Sequence, residues 1–116
     1  MSKKAKPQVI GFKSQSFKPR FEYGEMAEVT EVTGTSFGTK LGTGFARFRN
    51  AEIPWTVRYD EVILVLEGEF TVRNSEGEHT ARAKDCIWLP TGTELTYVAS
   101  NALVFYAIEP ADWSES

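Results

Sequence analysis

Glu61 is the residue of this 116-residue chain whose type and position could carry chemistry. It opens the run Glu61–Leu66, which reads as a strand. Val62, Leu64 and Leu66 share one face of that strand, and Glu61, Ile63 and Val65 the other. Both faces are apolar except at Glu61. Such a strand is expected to be covered on both sides, by a partner sheet on one and by a lined cavity or a subunit interface on the other. A carboxylate at the mouth of that face either meets solvent or binds something. Among aromatic walls its charged form is disfavoured and its pKa rises, which suits a general acid or base. Tyr59 and Thr56 stand just ahead of it in the chain, with hydroxyls able to donate to a substrate oxygen. Glu52, two residues before Pro54, offers a second carboxylate. The competing structural role for Glu61 is a hydrogen bond to a strand end.

Other chemistries find less support. The single histidine, His79, follows the turn Asn74–Gly77 and is expected at the surface; one histidine supplies neither a two-histidine metal site nor a relay. The single cysteine, Cys86, excludes an intrachain disulfide and a multi-cysteine zinc site, and reads as a small core hydrophobe. Gly38–Gly44 is glycine-rich and contains Lys40, but lacks the spacing of a phosphate-binding loop. It reads as a plain loop before a strand.

The elements that must position these residues are strands. Short runs of β-branched and aromatic residues, bounded by Gly, Asn, Asp and Pro, predict strands near 27–32, 44–49, 55–57, 61–66, 69–73, 78–83, 86–89, 94–98 and 103–108. Glu61–Leu66 and Glu69–Arg73 are expected to form a hairpin closed around Glu67-Gly68. No segment has a convincing helical period, so the chain reads as all-β, a sandwich or small barrel. Its length suits one domain with a core of its own. No stretch approaches a membrane span, and the start has no apolar run of a secretory signal, so the expected location is cytoplasmic.

Charge divides the chain. Lys3, Lys4, Lys6, Lys13, Lys18 and Arg20 give residues 1–20 a net charge of +6 without an acidic residue, while residues 21–116 carry −9. Pro7, Gly11 and Pro19 dilute the basic run, which favours a solvated arm over a nucleic-acid or membrane tether. The expected division is a basic N-terminal arm, 1–20, and a β-domain, 21–116.

Two separated motifs then resemble a known superfamily. Glu61-Val-Ile-Leu-Val-Leu-Glu-Gly68, followed by Lys84-Asp85-Cys-Ile-Trp-Leu-Pro90-Thr-Gly92, is similar to the paired motifs of cupins. Within that superfamily, Pro54-Trp55-Thr56, Tyr59-Asp60-Glu61, Val65-Leu66-Glu67-Gly68 and Pro110-Ala111-Asp112-Trp113 resemble the cupin domain of the ethanolamine-utilisation EutQ family. The resemblance implies a single-domain cupin jelly-roll β-barrel with an interior pocket, preceded here by the basic N-terminal arm. Lys84 departs from the usual glycine before the aspartate.

The resemblance also implies where a cupin metal would sit, and the ligands are missing. The first-motif histidine positions fall on Pro54 and Thr56, or on Trp55 and Val57, and the second-motif histidine falls on Leu95. Only Glu61 is kept, too little for a transition metal, so no metal and no cofactor are expected. Tyr97, two residues past Leu95, is implied to share the inward face. Tyr59, Thr56, Trp88 and Tyr97 are then expected around Glu61, with Glu61, Tyr59 and Tyr97 as catalytic candidates and Thr56, Trp88 and Glu52 as ligand-binding candidates. Tyr97, Trp88, Phe105 and Tyr106 serve equally as core packing. Trp55 and Trp113 are expected between sheets or subunits.

The family implies a link to ethanolamine or amine catabolism, with acetate kinase activity ascribed to it. A small-molecule enzyme using Glu61 and tyrosines without metal, or with a weakly held ion, and a non-catalytic binding or scaffolding cupin are the two readings. Expected partners are a small-molecule ligand and a second copy in a homodimer, helped by Val9, Ile10 and Phe12 adding a strand to a neighbour's sheet edge, and neither nucleic acid nor membrane.

Overall fold

The structure, a computed structural model, describes residues 6–115. Lys3 and Lys4 of the basic run lie outside the described residues. Seven strands make one antiparallel sheet: β1 (Lys18–Pro19), β2 (Ala27–Val29), β3 (Gly42–Thr56), β4 (Asp60–Asn74), β5 (Gly77–Arg82), β6 (Cys86–Leu89) and β7 (Glu94–Glu109). Their order is β1-β2-β3-β7-β4-β5, with β6 on the other edge of the first half of β4. The sheet curls around a core of inward side chains without closing on itself. This is the all-β cupin architecture the motifs imply.

Three strands of fifteen or sixteen residues, β3, β4 and β7, form the body of the sheet. Each changes phase once along its length. In β3 the buried positions run Ala46, Phe48, then Ala51, Ile53; in β4 they run Ile63, Val65, then Phe70, Val72; in β7 they run Tyr97, Ala99, then Ala102, Val104. Side chains alternate with period two, so each skipped residue marks a break in regular pleating where the strand turns to wrap the core. The backbone records it at Asn50, which has φ +44°, and at Gly68, with φ +80°.

These breaks correct the expected segmentation. The stretches 44–49 and 55–57 are one strand, as are 94–98 and 103–108. The expected hairpin around Glu67-Gly68 does not exist. β4 runs straight through it, paired along both halves with β7, with register shifts between Val65 and Glu67 and between Gly68 and Thr71. Gly68 has a different task from turning a hairpin. A Cβ there would run into the carbonyl oxygen of Asn101 on β7, so only glycine permits the close approach at the bulge. The true hairpin is β4–β5, where Asn74 pairs with Gly77.

The arm is partly absorbed into the fold. Phe12 lies in a 3-10 turn, not a strand, and its ring meets Phe45 of β3 edge-on at 4.9 Å. Lys18 and Pro19 pair with Val29 and Glu28 of β2. A hydrogen-bonded turn then reverses the chain, Arg20 N–H donating to the Ala27 carbonyl and Tyr23 N–H to the Arg20 carbonyl. Arg20 is thereby fixed at one end of the curled sheet. No helix among the described residues is long and apolar enough to cross a membrane.

Candidate functional site

Glu61 is the second residue of β4, paired with Leu89 of β6 on one side and Ile108 of β7 on the other. Its phase matches that of Ile63 and Val65, so its carboxylate points inward and is only 6% exposed. An unpaired buried carboxylate is costly, and a partner is present. The Tyr97 hydroxyl, carried by β7, donates to Glu61 Oε1 at 3.2 Å. Phe48 and Phe70 hold the Tyr97 ring, with centroids at 6.2 and 5.4 Å. Tyr59, just before β4, is also buried and meets Trp113 edge-on at 5.1 Å.

These groups border a cavity of about 140 Å³. That is room for several water-sized groups, or for a ligand of a few heavy atoms. Its walls are mostly apolar, from Phe48, Ile63, Phe70 and Val104. The polar groups of the lining are Arg20, Tyr59, Glu61, Tyr97 and Tyr106.

Arg20 is the one cation of this lining. Its guanidinium carbon stands 4.7 Å from the Trp55 ring centroid, 5.2 Å from Phe21 and 5.6 Å from Tyr97, within cation–π range of each. Phe21 stacks on Trp55 at 5.7 Å and closes the outer side of the group. Two donors remain unspent. Arg20 Nη1 and Trp55 Nε1 are both buried and neither has a hydrogen-bond acceptor. Both side chains act on the Tyr59 hydroxyl and favour its ionised form, against the larger effect of burial. Arg20 and Glu61 face one cavity with no ion pair joining them among the described residues.

The electrostatics follow from burial. Desolvation pushes the Glu61 carboxyl up from the ordinary carboxylate range to about 7, against the opposing pull of the Tyr97 hydrogen bond and the Arg20 charge. Burial, and then the neighbouring Glu61 charge, raises the hydroxyls of Tyr59 and Tyr97. Burial, with the charges of Glu31 and Glu61, pushes Tyr106 up to about 12. Near neutral pH the tyrosines are therefore fixed donors, and Glu61 is the lining group that changes charge.

Of the six candidate residues, Glu61, Tyr59 and Tyr97 are together and three are elsewhere. Thr56 is exposed at the end of β3, beside Pro54 and Glu94 at the outer surface. Glu52 alternates with the buried Ile53, so it points outward and pairs with Arg73 at 2.6 Å. Trp88 is 60% exposed, because it pairs with Val62 and both lie on the outer face of β4 and β6. Cys86 is exposed on that outer face opposite Leu64, which corrects its assignment to the core. His79 is exposed on β5. Trp88, Cys86 and His79 border a separate open groove.

Four contributors are absent from the expected set: Arg20, Phe21, Tyr106 and Trp113, all lining the cavity. Arg20 is the last residue of the basic run and nothing in its spacing sets it apart. Tyr106 is held by its hydroxyl, which donates to the Thr30 carbonyl at 2.9 Å in a space that a Cβ on Gly44 would fill. The donor set does not fit a transition metal. Glu61 is the one carboxylate of the cavity lining, and no imidazole or thiol lines it.

A family model described as ethanolamine utilisation protein EutQ matches residues 8–115. The Escherichia coli protein named acetate kinase EutQ is 37% identical over 83 residues, which are 71% of this chain and 35% of that protein. The chain thus spans about a third of that relative's length. A crystal structure of a putative ethanolamine utilisation protein from Salmonella typhimurium superposes with a TM-score of 0.83 at 30% identity, over 89% of this chain and 85% of that one. An RmlC-like cupin from Shewanella frigidimarina has a TM-score of 0.74 at 17% identity, over 96% and 97% of the two chains, a likeness of fold. The matched segment holds both motifs, the curled sheet and every residue that lines the cavity, and on that footing the chain belongs to the EutQ family of ethanolamine-utilisation proteins, within the cupin superfamily.

Proposed function

We propose that the chain is a metal-independent small-molecule cupin whose interior cavity holds a small oxyanion, of the size of a short carboxylate, with Glu61 as its acid–base group. The observation that carries this reading is the Arg20 guanidinium in the cavity lining, whose buried Nη1 has no aligned acceptor and which packs against the Trp55 ring, where the buried Nε1 has none either. A buried unsatisfied donor costs about 1–3 kcal/mol and more when charged, so an acceptor brought by a ligand recovers that loss. Carboxylate oxygens match a guanidinium and an indole N–H. The Phe48, Ile63, Phe70 and Val104 walls suit a short apolar tail. Tyr97 occupies Glu61 Oε1, which leaves Oε2 to face the ligand. Glu61 with its proton donates to a ligand oxygen; without it, Glu61 accepts from a ligand hydroxyl or amine.

Within this reading, binding alone and turnover are separable. The family's relation to ethanolamine utilisation makes amine or two-carbon metabolism the natural setting. A second reading, acetate kinase activity, is favoured by the names of the curated relatives. Phosphoryl transfer also requires groups that bind and neutralise a phosphate. It is tested by following ATP-dependent phosphorylation of acetate with the wild type and Glu61→Gln. An activity that disappears in the folded variant favours the kinase reading.

Calorimetry with acetate and its uncharged isostere acetamide, at about pH 6, tests the first reading. Acetate is expected to bind and acetamide to bind at least about tenfold more weakly, a gap worth ~1.4 kcal/mol. Arg20→Gln is expected to erase the difference. Equal affinities, or an acetate response unchanged in Arg20→Gln, would remove the oxyanion reading.

A further inference from the structure

Arg20 and Glu61 carry opposite charges to the same small cavity, yet no ion pair joins them among the described residues. The groups around Glu61 are few. Tyr59 comes from just ahead of its own strand, Tyr97 and Tyr106 from β7 and Arg20 from the end of the arm, while its neighbours on the two flanking strands, Leu89 and Ile108, are apolar. With Glu61 ionised, the carboxylate offsets the guanidinium, and an incoming anion meets a second negative charge in a space of about 140 Å³. With Glu61 neutral, Arg20 is uncompensated and the carboxyl O–H is one more donor. The three tyrosines remain hydroxyls in both cases.

We infer that the site is proton-coupled: a small oxyanion that enters while Glu61 is ionised brings one proton from solvent onto Glu61, so that anion and proton arrive together. The inference rests on the oxyanion reading above and adds a balance to it. Ionised Glu61, one anion and one proton give neutral Glu61 with the anion bound. No covalent bond to carbon forms or breaks. The pair enters as the equivalent of a neutral acid, which is the form that a mostly apolar cavity accepts at least cost. On departure, the anion returns the proton to solvent. Because Glu61 changes charge near neutrality, the coupling falls within an ordinary working range of pH.

Proton uptake is read directly by calorimetry of acetate binding to the full chain in buffers of different ionisation heat. About one proton per acetate is expected at about pH 8, and close to none at about pH 6. Acetate affinity is expected to fall about tenfold per pH unit above neutrality in the wild type and to stay level in Glu61→Gln. The wild-type proton count decides the matter even if the variant folds poorly. Acetate binding at pH 8 without proton uptake would overturn the coupling and leave the oxyanion reading in place. No acetate binding at either pH would overturn both.

Discussion

A buried carboxyl whose pKa is raised is a statement about stability as well as chemistry. In the unfolded chain Glu61 loses its proton near the ordinary value of 4.5; in the folded protein it keeps it to about 7. Between those values the native state binds the proton more tightly. The stabilisation is complete below the lower value, is lost as pH rises through the interval, and is gone above the upper one. The difference corresponds to roughly 3 kcal/mol, as an order of magnitude. Glu61→Gln removes the titration while keeping the shape. Chemical denaturation is expected to show the variant more stable than the wild type at about pH 8, with a flatter pH profile between about 5 and 8. A variant that is less stable by the same amount at every pH would make Glu61 a structural hydrogen-bonding group. At this scale the site was partly legible: Glu61 by its place on an apolar face, Tyr59 by adjacency, Tyr97 through the motif resemblance. Arg20 was not. Its role arises from a two-residue strand and a turn that no periodicity announces.

Among elements, the three phase changes decide which residues can meet. Without the bulge in β4, residues beyond Leu66 would continue the phase of Glu61, and Glu69 rather than Phe70 would point into the core. Gly68→Ala tests this device. It adds a Cβ against the Asn101 carbonyl at a left-handed position, and is expected to lower stability by about 2 kcal/mol or more. A near-neutral result in a thermal melt would mean that the two strands part easily there. Lys84 tests the opposite case. It holds φ +82° where the cupin pattern has glycine, so Lys84→Gly is expected to raise stability by about 0.5–1 kcal/mol. These bends explain what the sequence did not disclose. Interrupted alternation at 50, 66–69 and 100–101 looks the same whether a chain turns back or a continuous strand bends. The same shift explains Glu52 and Thr56, which lie past the break in β3 and face outward.

For the molecule as a whole, the contrast between a basic arm and an acidic body acquires a local meaning at Arg20. The rest of the described arm keeps Lys6, Lys13 and Lys18 at the exposed surface. Phe12 is committed to its own sheet through Phe45, while Val9 is 96% exposed. The homodimer therefore stands as a proposal without the strand addition through Phe12, and sedimentation at micromolar concentration tests it: a dimer supports it, a monomer contradicts it. The family relation concerns the cupin portion of longer proteins, so activities of those relatives must be measured on this chain itself.

A crystal structure with acetate at about pH 6 shows whether the cavity beside Glu61 binds a small oxyanion. Acetate is expected inside the sheet, an oxygen within hydrogen-bond distance of the Arg20 guanidinium and its methyl group toward the Phe48 and Phe70 walls. Acetate bound only on the outer surface, or a cavity that holds water alone at saturating acetate, would contradict the oxyanion reading.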